Sequence, residues 1–208
     1  RKASEALPAG HEYACEQVEV PLDTAHVPPI FLKGTEDTPP ERDEQEHMLV
    51  VRASGRHWEW NRETGLLHRF STRSGDVIAG PVQPLLWRAA IDNDGLKLWT
   101  GQENKALGRW RRLGLDRMRF RCTKFRMVTA SNGILQVRTV LQASGRGNFD
   151  DFRIALDYAV SGCGDWTASY RVDPGPEIAD LPRVGLEFPL DPRFDSLEFM
   201  GRGPWENY

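Results

Sequence analysis

The chain has 208 residues, of which 39% are hydrophobic and 10% aromatic, enough apolar material to exclude a wholly disordered protein. The net charge of −3 argues against a dedicated nucleic-acid binder, and no apolar run approaches the roughly 20 residues of a membrane-spanning helix. Because the chain begins at Arg1 and stops at Tyr208 within a motif-like run, we expect it to be a piece of a longer protein.

The cysteine pattern bears on the compartment. Cys15, Cys122 and Cys163 are widely spaced, odd in number and contain no CxxC pair. They therefore predict neither a zinc site nor a disulfide framework, and no other metal site is predicted from the sequence. A reducing, cytoplasmic setting is the simplest expectation.

The first 47 residues divide into two parts. Alternating apolar residues from Glu12 to Val20 predict one strand, with a slip near Glu16. A single strand buries too little to be a domain, so it needs a partner sheet. Residues 30–47 are expected to be a linker, because the stretch from Lys33 onward is acidic, contains prolines and lacks large apolar side chains.

From Met48 onward the pattern predicts strands. The run HWEWNRETGLLHRFST predicts a hairpin with its loop at Asn61 to Gly65, and RMRFRCTKFRMVTA alternates strictly between basic and apolar residues. Further strands are predicted at ILQVRTVLQA, FRIALDYAVS, WTASYRVD, VGLEFPL and SLEFMGRGPW. The segment from Thr100 to Asp116 is the exception, since Leu107, Trp110 and Leu113 are spaced three apart and predict a short helix. The fold class expected from this pattern is all-β, a large antiparallel β-sandwich.

Two motifs carry a family resemblance. WRAAIDND begins at Trp87, and GRGPWENY begins at Gly201 about a hundred residues later. With WEWNRETGLL between Trp58 and Leu67, they resemble the C-terminal small-chain domain of bacterial β-galactosidases of glycoside hydrolase family 2. Ala90 stands where that family usually has proline, which makes this loop less rigid. AGHEYACEQVEVPL also resembles the last strand of the immunoglobulin-like domain that precedes the small-chain domain in the family.

The resemblance implies an architecture and a function. It implies the end of an immunoglobulin-like domain in residues 1–29, the linker in 30–47, and a galactose-mutarotase-like supersandwich in 48–208, truncated at its C-terminus. It implies a non-catalytic segment that shapes the pocket and the assembly of a parent enzyme. That enzyme would hydrolyse terminal β-D-galactosides with retention, using two glutamates that lie upstream.

The resemblance also implies partners and cofactors. The expected partners are the upstream domains or a large subunit of the same enzyme, further copies in a homo-oligomer, and the galactoside substrate, with no nucleic acid and no membrane. Mg²⁺ and Na⁺ are expected for the parent enzyme, and no cofactor is expected to be required by this segment.

The candidate site residues fall into two groups. Expected to flank the substrate pocket are Asp92, Asn93, Asp94, Gly95 and Trp99, with no catalytic residue in the segment. For Asp92 to Asp94, turn architecture is the main interpretation; a cation ligand and a catalytic pair are the alternatives. Expected to have structural roles are the remaining motif residues Trp87, Arg88, Gly201, Gly203, Pro204, Glu206, Asn207 and Tyr208.

Three other functions are alternatives. A free-standing carbohydrate-binding module would use Trp58, Trp60, Trp99 and Trp205 as sugar platforms. A nucleic-acid-binding β domain would use the basic stripe with its interleaved aromatics, formed by Arg109, Arg111, Arg112, Arg117, Arg119, Arg121, Lys124 and Arg126. An aldose epimerase is poorly supported, because all five histidines lie in the first third of the chain.

Overall fold

The computed structural model describes residues 38–96, 104–130 and 132–198. All of them belong to one of the two units into which the chain divides, Leu32–Tyr208. The predicted strand and immunoglobulin-like segment in residues 1–29 lie outside the described residues. The described elements are β1 (Glu41–Glu44), β2 (Met48–Ala53), β3 (Arg56–Asn61), β4 (Leu67–Thr72), β5 (Gly75–Asp76), β6 (Gln83–Leu85), α1 (Ala106–Leu113), β7 (Arg119–Thr129), β8 (Leu135–Ser144), β9 (Phe152–Val160), β10 (Trp166–Pro174) and β11 (Gly185–Glu187).

The described strands form three antiparallel sheets. The first has the order β1-β2-β3-β4-β5, the second the order β10-β9-β8-β7, and a small third sheet pairs β11 with β6. The hairpin predicted around Asn61 connects β3 and β4: the Asn61 side-chain oxygen accepts hydrogen bonds from the Glu63 and Thr64 N–H groups, both at 2.9 Å. Gly65 then turns the chain at φ 73°, where a side chain would collide with Cys122.

The core lies between the first two sheets. Trp58 and Trp60 alternate with polar residues along β3, so both point to the inner face, and both side chains are fully buried. The Trp60 ring meets Tyr158 of β9 edge-on with centroids 5.6 Å apart, and Trp58 meets Trp166 of β10 at 6.5 Å. These contacts join the two sheets face to face, which confirms the predicted antiparallel sandwich.

The one α-helix among the described residues lies within the segment predicted to be helical. Leu107 and Trp110 of α1 are buried, as their spacing predicts. The helix ends at Gly114, whose φ of 70° is the left-handed conformation common after a helix. A Cβ on Gly114 would lie 2.5 Å from the carbonyl oxygen of Gly145, so the helix end and the β8–β9 hairpin make a close backbone contact.

Three local predictions differ from the structure. Residues 30–47 were expected to be a linker, but Glu41–Glu44 form the edge strand β1, because pairing with β2 supplies backbone hydrogen bonds to a strand without apolar residues. Ser196–Glu198 do not form the strand expected there, and the remainder of that segment lies outside the described residues. The strict alternation in β7 is interrupted by a bulge at Thr123, which shifts the inward-facing set of residues by one position.

Within the described residues, no helix is long and apolar enough to cross a membrane.

Candidate functional site

The motif beginning at Trp87 ends in a tight turn. Asp92–Asp94 form one turn of 3₁₀ helix, preceded by extended backbone at Ile91 and followed by Gly95 at φ 100°. The Asp94 N–H donates to the Ile91 carbonyl at 3.0 Å, and the Gly95 N–H donates to the Asp92 carbonyl at 3.2 Å. The Asp-Asn-Asp sequence therefore serves as turn architecture here, and Gly95 supplies a backbone conformation that other residues adopt with strain.

Asp94 is the buried member of this turn. Its side chain accepts two hydrogen bonds from the Arg88 guanidinium, at 2.8 and 3.2 Å, and a third from the Ile91 N–H at 2.9 Å. Burial acts to raise the pKa of Asp94, but the hydrogen bonds from Ile91 and Arg88 and the charge of Arg88 outweigh it and hold the pKa below its ordinary value. Asp94 is thus an ionised acceptor with three donors, whereas Asp92 and Asn93 are exposed.

Two motif side chains attach this turn to α1. The Arg88 guanidinium lies over the Trp110 ring, 5.2 Å from its centroid, and Trp87 meets the same ring edge-on at 6.4 Å. On the same helix, Arg109 pairs with Asp180 through two hydrogen bonds, of 3.2 and 2.8 Å. Trp87 and Arg88 therefore connect the turn to α1 through the Trp110 ring.

The arrangement limits the chemistry that this turn can perform. Retaining glycoside hydrolysis uses two carboxyl groups about 5–5.5 Å apart, one of which needs a raised pKa to act as an acid. The pKa of Asp94 is shifted the opposite way, as are those of Asp151 and Asp180. No group of three or more His, Cys, Asp or Glu suited to hold a metal occurs among the described residues.

A second buried carboxylate was missed by sequence reasoning. Asp151, 3% exposed, accepts hydrogen bonds from Arg146, Ser144 and Asn148 at the β8–β9 hairpin. The guanidinium of Arg146 lowers the pKa of Asp151 most strongly, and the same group also pairs with Glu177 at 3.1 Å. The only signal in the sequence is the clustering of these polar residues within one short hairpin, which is ordinary turn composition.

The other candidate residues have mixed outcomes. Trp58 and Trp60 are fully buried in the core, which is incompatible with stacking on a sugar. Trp99, Trp205 and the whole GRGPWENY motif lie outside the described residues. In the basic stripe, Phe120 and Phe125 pack against the core, so the aromatics do not interleave with the cations on an exposed surface.

Comparison with known proteins gives a consistent result. The family described as beta galactosidase small chain matches residues 52–208. The chain is 28% identical to the beta-galactosidase of Vibrio cholerae, 25% to that of Yersinia enterocolitica and 27% to that of Kluyveromyces lactis. These alignments cover 96%, 97% and 97% of this chain but 19% of each relative's length. The matched residues include the antiparallel sandwich and the turn of the WRAAIDND motif. The chain therefore belongs to the β-galactosidase small-chain family.

Proposed function

We propose that this chain is a non-catalytic part of a β-galactosidase that hydrolyses terminal β-D-galactosides with retention. The observation that carries the proposal is the family match, combined with alignments that span only 19% of relatives named beta-galactosidase. The two catalytic carboxyl groups belong, in this proposal, to the other segments of the enzyme. The saturated, ionised state of Asp94 supports that division of labour.

The role proposed for this segment is to form part of the pocket wall. The Arg88–Asp94 pair and the Trp110 contact hold the turn that carries Asp92 and Asn93. A turn held by such contacts presents its side chains to a substrate with less loss of conformational entropy than a free segment does. Asp92, Asn93 and Trp99 are the residues proposed to lie near the galactoside.

Magnesium and sodium are proposed to bind to other segments of the enzyme. The donor set of the turn does not fit a cation, because the Asp94 carboxylate already receives three hydrogen bonds and faces the positive charge of Arg88. No step of the reaction is therefore assigned to a metal held by this turn.

Assembly and compartment complete the proposal. The partners are the remaining segments of the enzyme and further copies of it, which this sandwich helps to hold together. A cytoplasmic location is supported by Cys122 and Cys163, which are both unpaired thiols.

The test separates the chain from the rest of the enzyme. The 208-residue chain, incubated alone with a chromogenic β-galactoside, is expected to give no turnover above the blank. Co-expression with the remaining segments of the enzyme as a separate polypeptide is expected to give turnover that depends on both. Turnover by the purified chain alone, in proportion to its concentration, would overturn the non-catalytic assignment.

The same preparation tests sugar binding by the chain itself. Titration calorimetry with galactose and lactose at millimolar concentration is expected to show no saturable heat from the isolated chain. Saturable binding would instead identify the chain as a carbohydrate-binding module.

A further inference from the structure

The connection between β10 and β11, residues 175–184, belongs to a segment that contacts the chain on both sides of the motif turn. β11 pairs with β6, which ends at Leu85, two residues before Trp87. Beyond the turn in sequence, Asp180 of the connection binds Arg109 of α1. One distant segment therefore holds both the strand that precedes the motif and the helix that follows it.

The backbone of this connection is itself held in place. The Gly175 N–H donates to the Asp151 carbonyl at 2.8 Å, and the Ile178 N–H donates to the Gly175 carbonyl at 3.0 Å. Ile178 and Leu181, which lie on either side of Asp180 in sequence, both pack against the hydrophobic core. The Asp180 carboxylate is therefore carried by a stretch of chain that packing and hydrogen bonds keep in position.

The Asp180 carboxylate is bound to two consecutive residues of α1. Its Oδ1 accepts a hydrogen bond from Arg109 Nε at 3.2 Å, and its Oδ2 accepts one from Arg109 Nη2 at 2.8 Å. Arg109 lowers the pKa of Asp180 most strongly, and the Trp110 side chain also acts to lower it. Because two parallel hydrogen bonds between a guanidinium and a carboxylate fix the orientation of both groups, Asp180 constrains where α1 places Trp110.

Trp110 transmits its position to the motif. Its side chain is buried, with the Arg88 guanidinium 5.2 Å from the ring centroid and the Trp87 ring edge-on at 6.4 Å. The same guanidinium donates two hydrogen bonds to Asp94 in the turn. Asp180 is thus connected to the turn through one aromatic ring and one guanidinium.

We infer that Asp180 is a positioning residue for the pocket wall, an inference that rests on the proposed function. It acts through Trp110 and Arg88 on the turn that carries Asp92 and Asn93, the residues proposed to lie near the galactoside. Displacement of a substrate-positioning group by about 1 Å can cost on the order of a hundredfold in activity. A contact remote from the substrate can therefore have a measurable effect on its binding.

The exposure of the pair distinguishes positioning from a purely structural role. The Arg109 and Asp180 side chains are 41% and 36% exposed, and ion pairs in contact with water contribute little to stability. Loss of the pair should therefore leave the urea unfolding midpoint near that of the wild type while it weakens galactoside binding. A purely structural role would instead lower the midpoint without a selective effect on KM.

Steady-state kinetics of the enzyme assembled with an Asp180→Ala chain test the inference. The KM for a chromogenic β-galactoside is expected to rise about five- to tenfold with kcat within about twofold of the wild type, as when binding common to the ground and transition states is lost. Asp180→Glu keeps a carboxylate for Arg109 and should restore the KM to within about twofold. Arg88→Met/Asp180→Ala should raise the KM no further than Arg88→Met alone, because both residues act on the turn along one path.

The matched control is Asp173→Ala. Asp173 is 38% exposed and pairs with Arg171 of its own strand at 2.7 Å, so the variant removes a similar ion pair outside α1. It should leave both KM and kcat within about twofold of the wild type. In the 208-residue chain labelled with ¹⁵N at tryptophan, Asp180→Ala is expected to shift the indole NMR signals of Trp87 and Trp110, whereas Asp173→Ala is not.

The contrary outcomes separate the inference from the proposed function. An unchanged KM in Asp180→Ala, an equal rise in Asp173→Ala, or additive effects of Asp180→Ala and Arg88→Met would each overturn the inference. Unshifted indole signals in Asp180→Ala, beside an active wild-type enzyme, would overturn the inference alone. An assembled wild-type enzyme without galactosidase activity would overturn the proposed function.

Discussion

The Arg88–Asp94 pair offers the sharpest test of how the motif turn is held. The side chains are 22% and 10% exposed, so both charges are largely removed from water. Asp94→Asn keeps the shape and an acceptor for the Ile91 N–H but removes the charge that receives two Arg88 hydrogen bonds. Hydrogen bonds to charged groups contribute about 1.5–3 kcal/mol, so we expect a loss of roughly 2 kcal/mol in the free energy of unfolding.

A double-mutant cycle isolates the pair from its surroundings. Arg88→Met keeps an apolar side chain over Trp110 while removing the guanidinium, and the double variant Arg88→Met/Asp94→Asn removes both partners. Urea unfolding at pH 7 is expected to give a coupling energy of about 1.5–3 kcal/mol. In thermal unfolding, the Asp94→Asn midpoint should fall by roughly 4–8 °C, at about 2–4 °C per kcal/mol for a chain of this size.

The pH dependence follows from the direction of the pKa shift. Because the folded-state pKa of Asp94 lies below its unfolded value of 3.8, its stabilisation is fully present above that value. It is lost as the pH falls through the lowered folded-state pKa, so the difference between the wild type and Asp94→Asn should shrink in strong acid.

The control is Asp195→Asn, the same substitution at an exposed aspartate, which should change stability by less than about 0.5 kcal/mol. A coupling energy below about 0.5 kcal/mol would refute the reasoning that this ion pair holds the turn.

Three further tests concern other parts of the structure. In urea unfolding, Gly114→Ala should lower the free energy of unfolding by more than about 2 kcal/mol, because the new Cβ would lie 2.5 Å from the Gly145 backbone. Gly147→Ala is the matched control: Gly147 has a φ of 92° but open space around it, so the loss should be only about 1–2 kcal/mol. Asp151→Asn should cost about 3 kcal/mol at pH 7 and progressively less in strong acid, because the folded-state pKa of this carboxyl is lowered. In a Cys15→Ser variant, a thiol reagent should label Cys163 faster than Cys122, because Cys163 is exposed and burial raises the pKa of Cys122. Equal labelling rates of the two cysteines would contradict this expectation.

The sandwich was predictable where the hydrophobic period was regular. Trp58 and Trp60 alternate with polar residues, so their common inward face follows directly from the two-residue period of a strand. The hairpin loop from Asn61 to Gly65 combines an amide that caps the turn with a glycine at positive φ. Both features depend on residues that are close in sequence, and for that reason they could be predicted.

The bulge in β7 shows where such reasoning fails. Phe120 and Cys122 face inward before the bulge, and Phe125 and Met127 face inward after it, so the inward set changes from even to odd positions. Thr123 occupies the extra position and donates its hydroxyl hydrogen to the Val140 carbonyl. The sequence does carry a local signal, because Thr123 and Lys124 are consecutive polar residues and the apolar residues fall on odd positions after them. What the sequence does not show is the hydrogen-bond partner of Thr123, which lies on β8.

For the motif turn, the sequence indicated a turn but not what fixes it. Arg88 and Asp94 are six residues apart, and their pairing depends on the 3₁₀ turn between them. The position of that turn depends in addition on Trp110 of α1, which lies beneath the Arg88 guanidinium. The end of α1 is itself placed by the backbone contact of Gly114 with the β8–β9 hairpin, where Asp151 is buried. Three contacts in series therefore connect the turn to the second sheet. A substitution in the β8–β9 hairpin is expected to shift the motif turn although the two make no direct contact.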